Sequence, residues 1–268
     1  MDYFAGRLGE GRILAAPSWV IPAGVAENCR YLAGRVDEVG LLFFESEACL
    51  AYTHQDLPHD LAELPLRWHV HLPVDLPWGG QGADICSAAD DGAAAARICT
   101  MLMDKVTFLG AGQNAVMGVV HPPAFCSGEY AAIALQAFAK VWTQSGRNTR
   151  DILLENIKGQ SLLDLKDVVL GYDMSVCLDT GHLLAYCQHG LLGEPHLMQR
   201  IRMLHLNAEV DGGKHAPLTV MNDEEQQLCR KVLALAPRDC IVMMELFKWH
   251  EIEASLPLVE TWLQESEG

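Results

Sequence analysis

The sequence predicts an α/β fold, a single (β/α)₈ TIM barrel over residues 1–268, and three observations support it. Short apolar runs alternate eight times with longer stretches of helical character. The chain carries no internal repeat, low-complexity tract or Pro/Gly/Ser linker that would separate two domains. Its 268 residues suit one barrel of about 250 residues, a size that buries a large core without disulfide staples.

The first apolar run is 13–16, with a helical stretch at 25–33. The second is 39–44, Val39-Gly40-Leu41-Leu42-Phe43-Phe44, and the next helical pattern is 57–64. The third strand, 66–72, precedes a helix at 93–103; the fourth, 116–121, precedes 129–144; the fifth, 152–156, precedes 162–169. The sixth, 175–179, precedes 183–188; the seventh, 203–207, precedes 224–236; the eighth, 241–245, precedes 252–263. Runs of this length and apolarity suit parallel strands covered on both faces. Gly110 and Gly112 lack a third glycine at dinucleotide-loop spacing and follow a helical stretch, which argues against an open doubly wound sheet.

With 35 acidic and 19 basic side chains the net charge is −16. Sequence-independent binding to nucleic acid is built from lysines and arginines that replace counterions, so no nucleic-acid partner is expected. An anionic membrane surface is equally disfavoured, and a small-molecule substrate is expected instead. Nine cysteines, an odd number without a C-x-x-C pair, read as reduced thiols and a cytoplasmic setting. The first ten residues lack the basic-then-apolar pattern of an export signal, and no apolar run reaches about 18 residues.

In such a barrel the active site is built at the carboxyl ends of the strands. Those ends carry Glu45, His69 and His71, His121, Glu155, Asp179 with His182, His205 and Glu245, while His215 follows in the loop Asp211-Gly212-Gly213-Lys214-His215. Carboxylates and imidazoles converging on one axis are costly unless a positive ion sits among them. One or two divalent metal ions are therefore expected, and oxygen and imidazole ligands without sulfur fit zinc, manganese, iron or cobalt. His69 and His71, two apart on one strand, face the same way; His71, nearer the strand end, is favoured as the ligand.

The segment Val176-Cys177-Leu178-Asp179-Thr180-Gly181-His182 resembles the D-T-x-H segment of the xylose-isomerase-like barrel superfamily. That superfamily includes sugar isomerases and epimerases and the endonuclease IV type of abasic-site nuclease. His71-Leu72-Pro73, His121-Pro122, Glu155-Asn156, His205-Leu206-Asn207, Lys214-His215 and Glu245 follow in its order, so the resemblance covers nearly the whole chain. It implies that Glu155, Asp179, His205 and Glu245 form a shared metal site. It also implies that His71, His121, His182 and His215 are the additional histidines of the multinuclear, phosphodiester-cleaving branch. That branch has an aspartate two residues before the last histidine; Gly213 stands there in this chain, and one or two ions are expected rather than three. Segments 19–24, 39–45 and 68–77 resemble the cobamide-remodelling phosphodiesterases, which implies cleavage of the nucleotide-loop phosphodiester of a corrinoid, a vitamin B12 form.

On that reading Glu155 and Glu245 are the catalytic carboxylates, one of them holding or deprotonating the attacking water. In a two-ion arrangement Glu155 bridges, and His71 and His121 hold the second ion. Lys158, Lys214 and Lys248 lie close to ligand positions and are candidates for phosphate contact. Phe125 and Trp249, with Trp78, lie just beyond strand ends, where a corrin ring needs apolar walls. The rival reading is a metal-dependent sugar isomerase or epimerase that shuttles a proton between Glu155 and Glu245; the surplus of histidines favours the hydrolase.

Overall fold

The computed structural model describes residues 6, 8–9, 11–110 and 115–267; Gly112 and most of the first ten residues lie outside it. The chain runs β1 (Ile13–Pro17), α1 (Val25–Leu32), β2 (Glu38–Leu42), α2 (Ser46–Leu50), β3 (Arg67–His71), α3 (Ala88–Lys105), β4 (Met117–Val120), α4 (Gly128–Gln144), β5 (Ile152–Glu155) and α5 (Lys166–Gly171). It continues through β6 (Ser175–Asp179), α6 (Thr180–Ala185), α7 (Pro195–Met198), β7 (Ile201–Leu206), β8 (Ala208–Val210), β9 (Lys214–Ala216), α8 (Asp223–Leu235), β10 (Ile241–Met244) and α9 (Trp249–Glu267). Eight parallel strands close in the order β1-β10-β7-β6-β5-β4-β3-β2, and β8 and β9 form a separate antiparallel hairpin. The expected (β/α)₈ barrel is thus the observed fold.

Side chains two apart on a strand share a face, and that period sorts the barrel interior into layers. Ala15, Met117, Val119, Leu153, Cys177, Met203, Ile241 and Met243 pack as one buried apolar cluster inside the barrel. Two residues beyond Val119, Leu153, Cys177, Met203 and Met243 stand His121, Glu155, Asp179, His205 and Glu245. The apolar layer therefore seats a polar one at the carboxyl mouth. The larger core lies between the strands and the helices, with Trp142, Trp262, Phe138 and Phe43 fully buried.

The helices depart from expectation where capping chemistry outweighs periodicity. The stretch 57–64 is a 3₁₀ turn, His59–Glu63, because Pro58 and Pro65 bracket it, and the helix of this connection is α2 instead. Helix α6 begins at Thr180 rather than 183 because the Asp179 carboxylate accepts the His182 N–H at 2.6 Å. Helices α3 and α9 extend beyond 93–103 and 252–263, and the β8–β9 hairpin is an addition that the apolar runs do not signal.

Helices α3 and α4 approach closely because Gly92 has no side chain: a Cβ there would collide with the Ala134 carbonyl. Gly92→Ala is expected to destabilise the fold by about 1–3 kcal/mol through this overpacking. Urea denaturation measures it, and an unchanged midpoint would contradict so tight a contact.

Candidate metal centre and active site

Strand register brings the carboxylates and imidazoles together. Asp179 on β6 lies beside His205 on β7, and Glu155 ends β5 next to Cys177. His71 ends β3, while His121 and Glu245 immediately follow β4 and β10. Ligand atoms of Glu155, Asp179, His205 and Glu245 lie within 4.8 Å of one another, as do those of His71, Glu155 and His205, and all of these residues are buried. Glu155 faces both groups. Its Oε2 is 3.3 Å from Nε2 of both His71 and His121, and its Oε1 is 3.5 Å from Nδ1 of His182 and of His205. His205 Nδ1 lies 3.1 Å from Glu245 Oε2 and 3.9 Å from Asp179 Oδ2.

These distances join groups that do not satisfy one another. Glu155 Oε2, Glu245 Oε2 and both His205 nitrogens are buried without a hydrogen-bond partner among the described residues. Buried polar atoms are normally paired, so orphans that converge on one point mark a place for a cation. The outlying imidazoles are oriented for the same purpose. Nδ1 of His71 contacts the Leu72 carbonyl at 3.0 Å, that of His182 the Asn156 carbonyl at 2.9 Å, and that of His215 the Glu245 carbonyl at 3.1 Å. A ring whose Nδ1–H is donated to a carbonyl presents Nε2 with its lone pair outward, the arrangement of a metal-ligating histidine.

Charge within the cluster is strongly interdependent. Burial works against a charged His182, yet the Asp179 and Glu155 carboxylates raise its pKa to about 10. Burial pushes Asp179 up to about 6, with Glu245 and Glu155 adding to it and His182 opposing. Burial would raise Glu155 and Glu245 too, but His205 with His121, and His205 with His215, hold them below the ordinary carboxylate range. The three carboxylates thus require positive charge nearby, which protonated imidazoles or a bound cation can provide. The residues present fit a divalent ion held by oxygen and nitrogen ligands.

Asp179 is held on every side. Asn207 Nδ2 donates to its Oδ2 at 2.7 Å, its own N–H donates to Asn156 Oδ1 at 2.7 Å, and its Oδ1 caps α6. Asn156 and Asn207, both fully buried, are positioning residues that reading single strand ends does not isolate. Glu209 escapes the same reading: its carboxylate accepts from the Tyr186 hydroxyl and turns toward His182.

The other candidates divide. Lys214 and Lys248 line a 520 Å³ cavity with Phe44, His71, Val74, His121, Glu155, His182, His215, Glu245 and Phe247. Lys158 and Phe125 line an adjoining 410 Å³ cavity, which shares Val74, His121 and His182 with the first. Lys248 is held by Glu251 at 2.7 Å, and Lys158 lies over the Tyr186 ring. Phe125 has a left-handed backbone (φ 57°), its ring lies against Gly159 and it is 57% exposed, so it costs strain to keep an aromatic face at the cavity.

One sequence expectation is corrected, and two residues whose roles the sequence left open are placed. Trp249 does not reach either cavity: its N–H donates to the Val20 carbonyl at 3.0 Å and its ring packs edge-on to Tyr31, which buries it between α1 and α9. His69 lies one layer below the centre, where Nδ1 pairs with Glu38 at 2.7 Å and Gly40 leaves room for the ring. Glu45 is an exposed residue at the start of α2.

No family model matches the sequence, and no curated protein matches it. Solved structures do. Endonuclease IV from Thermus thermophilus superposes with a TM-score of 0.67 at 20% identity, covering 94% of this chain and 99% of its own. A D-tagatose 3-epimerase-like protein gives 0.69 at 15% identity, covering 95% and 98%. IolI, solved with a bound zinc atom, gives 0.57 at 12% identity, covering 95% and 96%. At such identities the likeness establishes the closed (β/α)₈ barrel fold alone, which an endonuclease and an epimerase-like protein share. Among the described residues no helix is long and apolar enough to cross a membrane.

Proposed function

We propose that the protein is a metal-dependent phosphodiesterase that cleaves the nucleotide-loop phosphodiester of a cobamide. The observation that carries this reading is the surplus of imidazoles around the carboxylate group. Glu155, Asp179, His205 and Glu245 alone would serve proton transfer at carbon in an epimerase. His71, His121, His182 and His215 add four more imidazoles at the same mouth, which carbon chemistry does not need. A phosphoryl group, whose non-bridging oxygens gain negative charge during displacement, makes use of them. A divalent ion held by these residues would supply Lewis-acid stabilisation of a phosphoryl oxygen.

The chain's own groups account for the rest. Glu245 accepts a proton from the water that attacks phosphorus, the P–O bond to the riboside breaks, and the leaving oxygen takes up a proton. The products are the riboside alcohol and a corrinoid phosphate monoester. Lys214, on the cavity wall, contacts the phosphate. The apolar rim suits a corrin better than a sugar: Trp19, Phe44, Val74 and Phe125 are 38–57% exposed, and Trp19, Phe44 and Phe247 make consecutive edge contacts. A hexose would meet few hydrogen-bonding groups on that wall.

The test is turnover of an adenosylated cobamide by purified protein with and without zinc, manganese, cobalt or iron, followed by chromatography for riboside release. Release that needs metal supports the proposal; epimerisation of ketoses without riboside release removes it. Phe247→Ala and Phe125→Ala are expected to raise KM about 10-fold or more, given the loss of ~1–3 kcal/mol of aromatic contact, with little change in kcat. Equal KM values would count against the corrin wall.

A further inference from the structure

We propose that the 410 Å³ cavity lined by Phe125 and Lys158 is the leaving-group site, and that it takes a flat nitrogen heterocycle joined to a sugar, the riboside half of the diester. The inference rests on the phosphodiesterase reading and deepens it by dividing the substrate between two cavities. They meet at His121 and His182, which line both, whereas Glu155, Glu245 and Lys214 line the 520 Å³ cavity alone. A diester held at the shared mouth sends one ester arm into each. The corrin arm rests on Phe44 and Phe247, and the other arm enters beside Phe125.

The walls of the smaller cavity are tied in place. Gly80 N–H donates to the Ala124 carbonyl at 2.8 Å, Gly79 N–H donates to the Tyr130 hydroxyl at 3.1 Å, and that hydroxyl donates to Asp91 at 2.7 Å. Phe125 N–H donates to the Gly159 carbonyl at 3.2 Å, and a Cβ on Gly159 would strike one edge of the Phe125 ring. The ring thus lies on bare backbone. Phe125 is otherwise open, 57% exposed, and keeps a left-handed φ of 57° that a bulky residue rarely adopts. A fixed aromatic ring held open to a cavity is a stacking platform, because every heterocyclic base has a π-face to lay against it.

The chemistry of the walls fits the same occupant. Among the described residues no carboxylate lines this cavity, although the chain carries a net charge of −16. Leu76, Pro122 and Ile157 are apolar, so a sugar alone would leave most of its hydroxyls unpaired there. Lys158 supplies N–H donors for a ring nitrogen with a free lone pair. Truncating either Phe125 or Phe247 raises KM for the whole cobamide, but the two rings act on different halves of it.

The experiment is calorimetry of the full chain with each product separately, a benzimidazole riboside and the corrinoid phosphate monoester. Phe125→Ala is expected to weaken the riboside about 10-fold or more and to leave the corrinoid within about 2-fold; Phe247→Ala is expected to do the reverse. Phe125→Tyr, which keeps the ring, is expected to restore riboside binding. If Phe125→Ala does not fold, Phe125→Gly, which suits the left-handed backbone, takes its place. Equal losses on both products, or an unchanged riboside affinity in a variant that still turns over cobamide, would overturn the inference and leave the phosphodiesterase reading standing. A wild-type chain that binds neither product and cleaves no cobamide would overturn both.

Discussion

Glu155→Gln is expected to lower kcat/KM on the order of 10³-fold or more, the largest effect of any single substitution in the site. The reason is position. Glu155 is the carboxylate shared by both ligand groups, and its two oxygens meet four imidazoles at 3.3–3.5 Å. Glutamine keeps the shape, removes the charge and offers an amide N–H where a ligand oxygen is needed. Metal content should fall with activity, while circular dichroism of the stripped variant should match that of stripped wild type, because the fold rests on the apolar layers. Assay and metal analysis on one preparation provide the check. Full activity in Glu155→Gln would mean that the two groups of ligands are not one centre.

Gly181→Ala is expected to lower kcat/KM about 100-fold with little loss of binding to the apolar rim. A Cβ on Gly181 would land on Asn207 Oδ1. Asn207 donates to Asp179, so displacing it loosens a ligand that the substitution never touches. The glycine between Thr180 and His182 is thus required by packing, not by an unusual backbone angle. The measurement is steady-state kinetics with metal titration: weaker metal binding and lower kcat at similar KM are expected, and wild-type kinetics would show that Asn207 does not hold Asp179 in place.

The barrel and the polar layer were legible in the sequence because both follow one period. Leu153 then Glu155, Cys177 then Asp179, Met203 then His205 and Met243 then Glu245 repeat an apolar residue followed two later by a polar one on the same face. The same period puts His69 and His71 on one face, and nearness to the strand end, which favoured His71, matches the depth that separates them in the barrel. Trp249 misled because closeness to a strand end says nothing of direction; the first turn of α9 aims it at Tyr31. Glu209 and the two asparagines escaped notice for a related reason. Their roles depend on a hairpin register and on buried hydrogen bonds between elements distant in sequence.

Attack of water on phosphorus leaves a mark in the product that proton transfer at carbon does not. The most direct measurement is phosphorus-31 NMR of a cobamide incubated with metal-reconstituted protein in isotopically labelled water. A new phosphate monoester carrying solvent oxygen is expected, absent without metal and absent with Glu245→Gln. An unchanged phosphodiester signal, alongside solvent hydrogen appearing at a carbon of a ketose substrate, would contradict attack on phosphorus and leave proton transfer between Glu155 and Glu245 as the chemistry of the site.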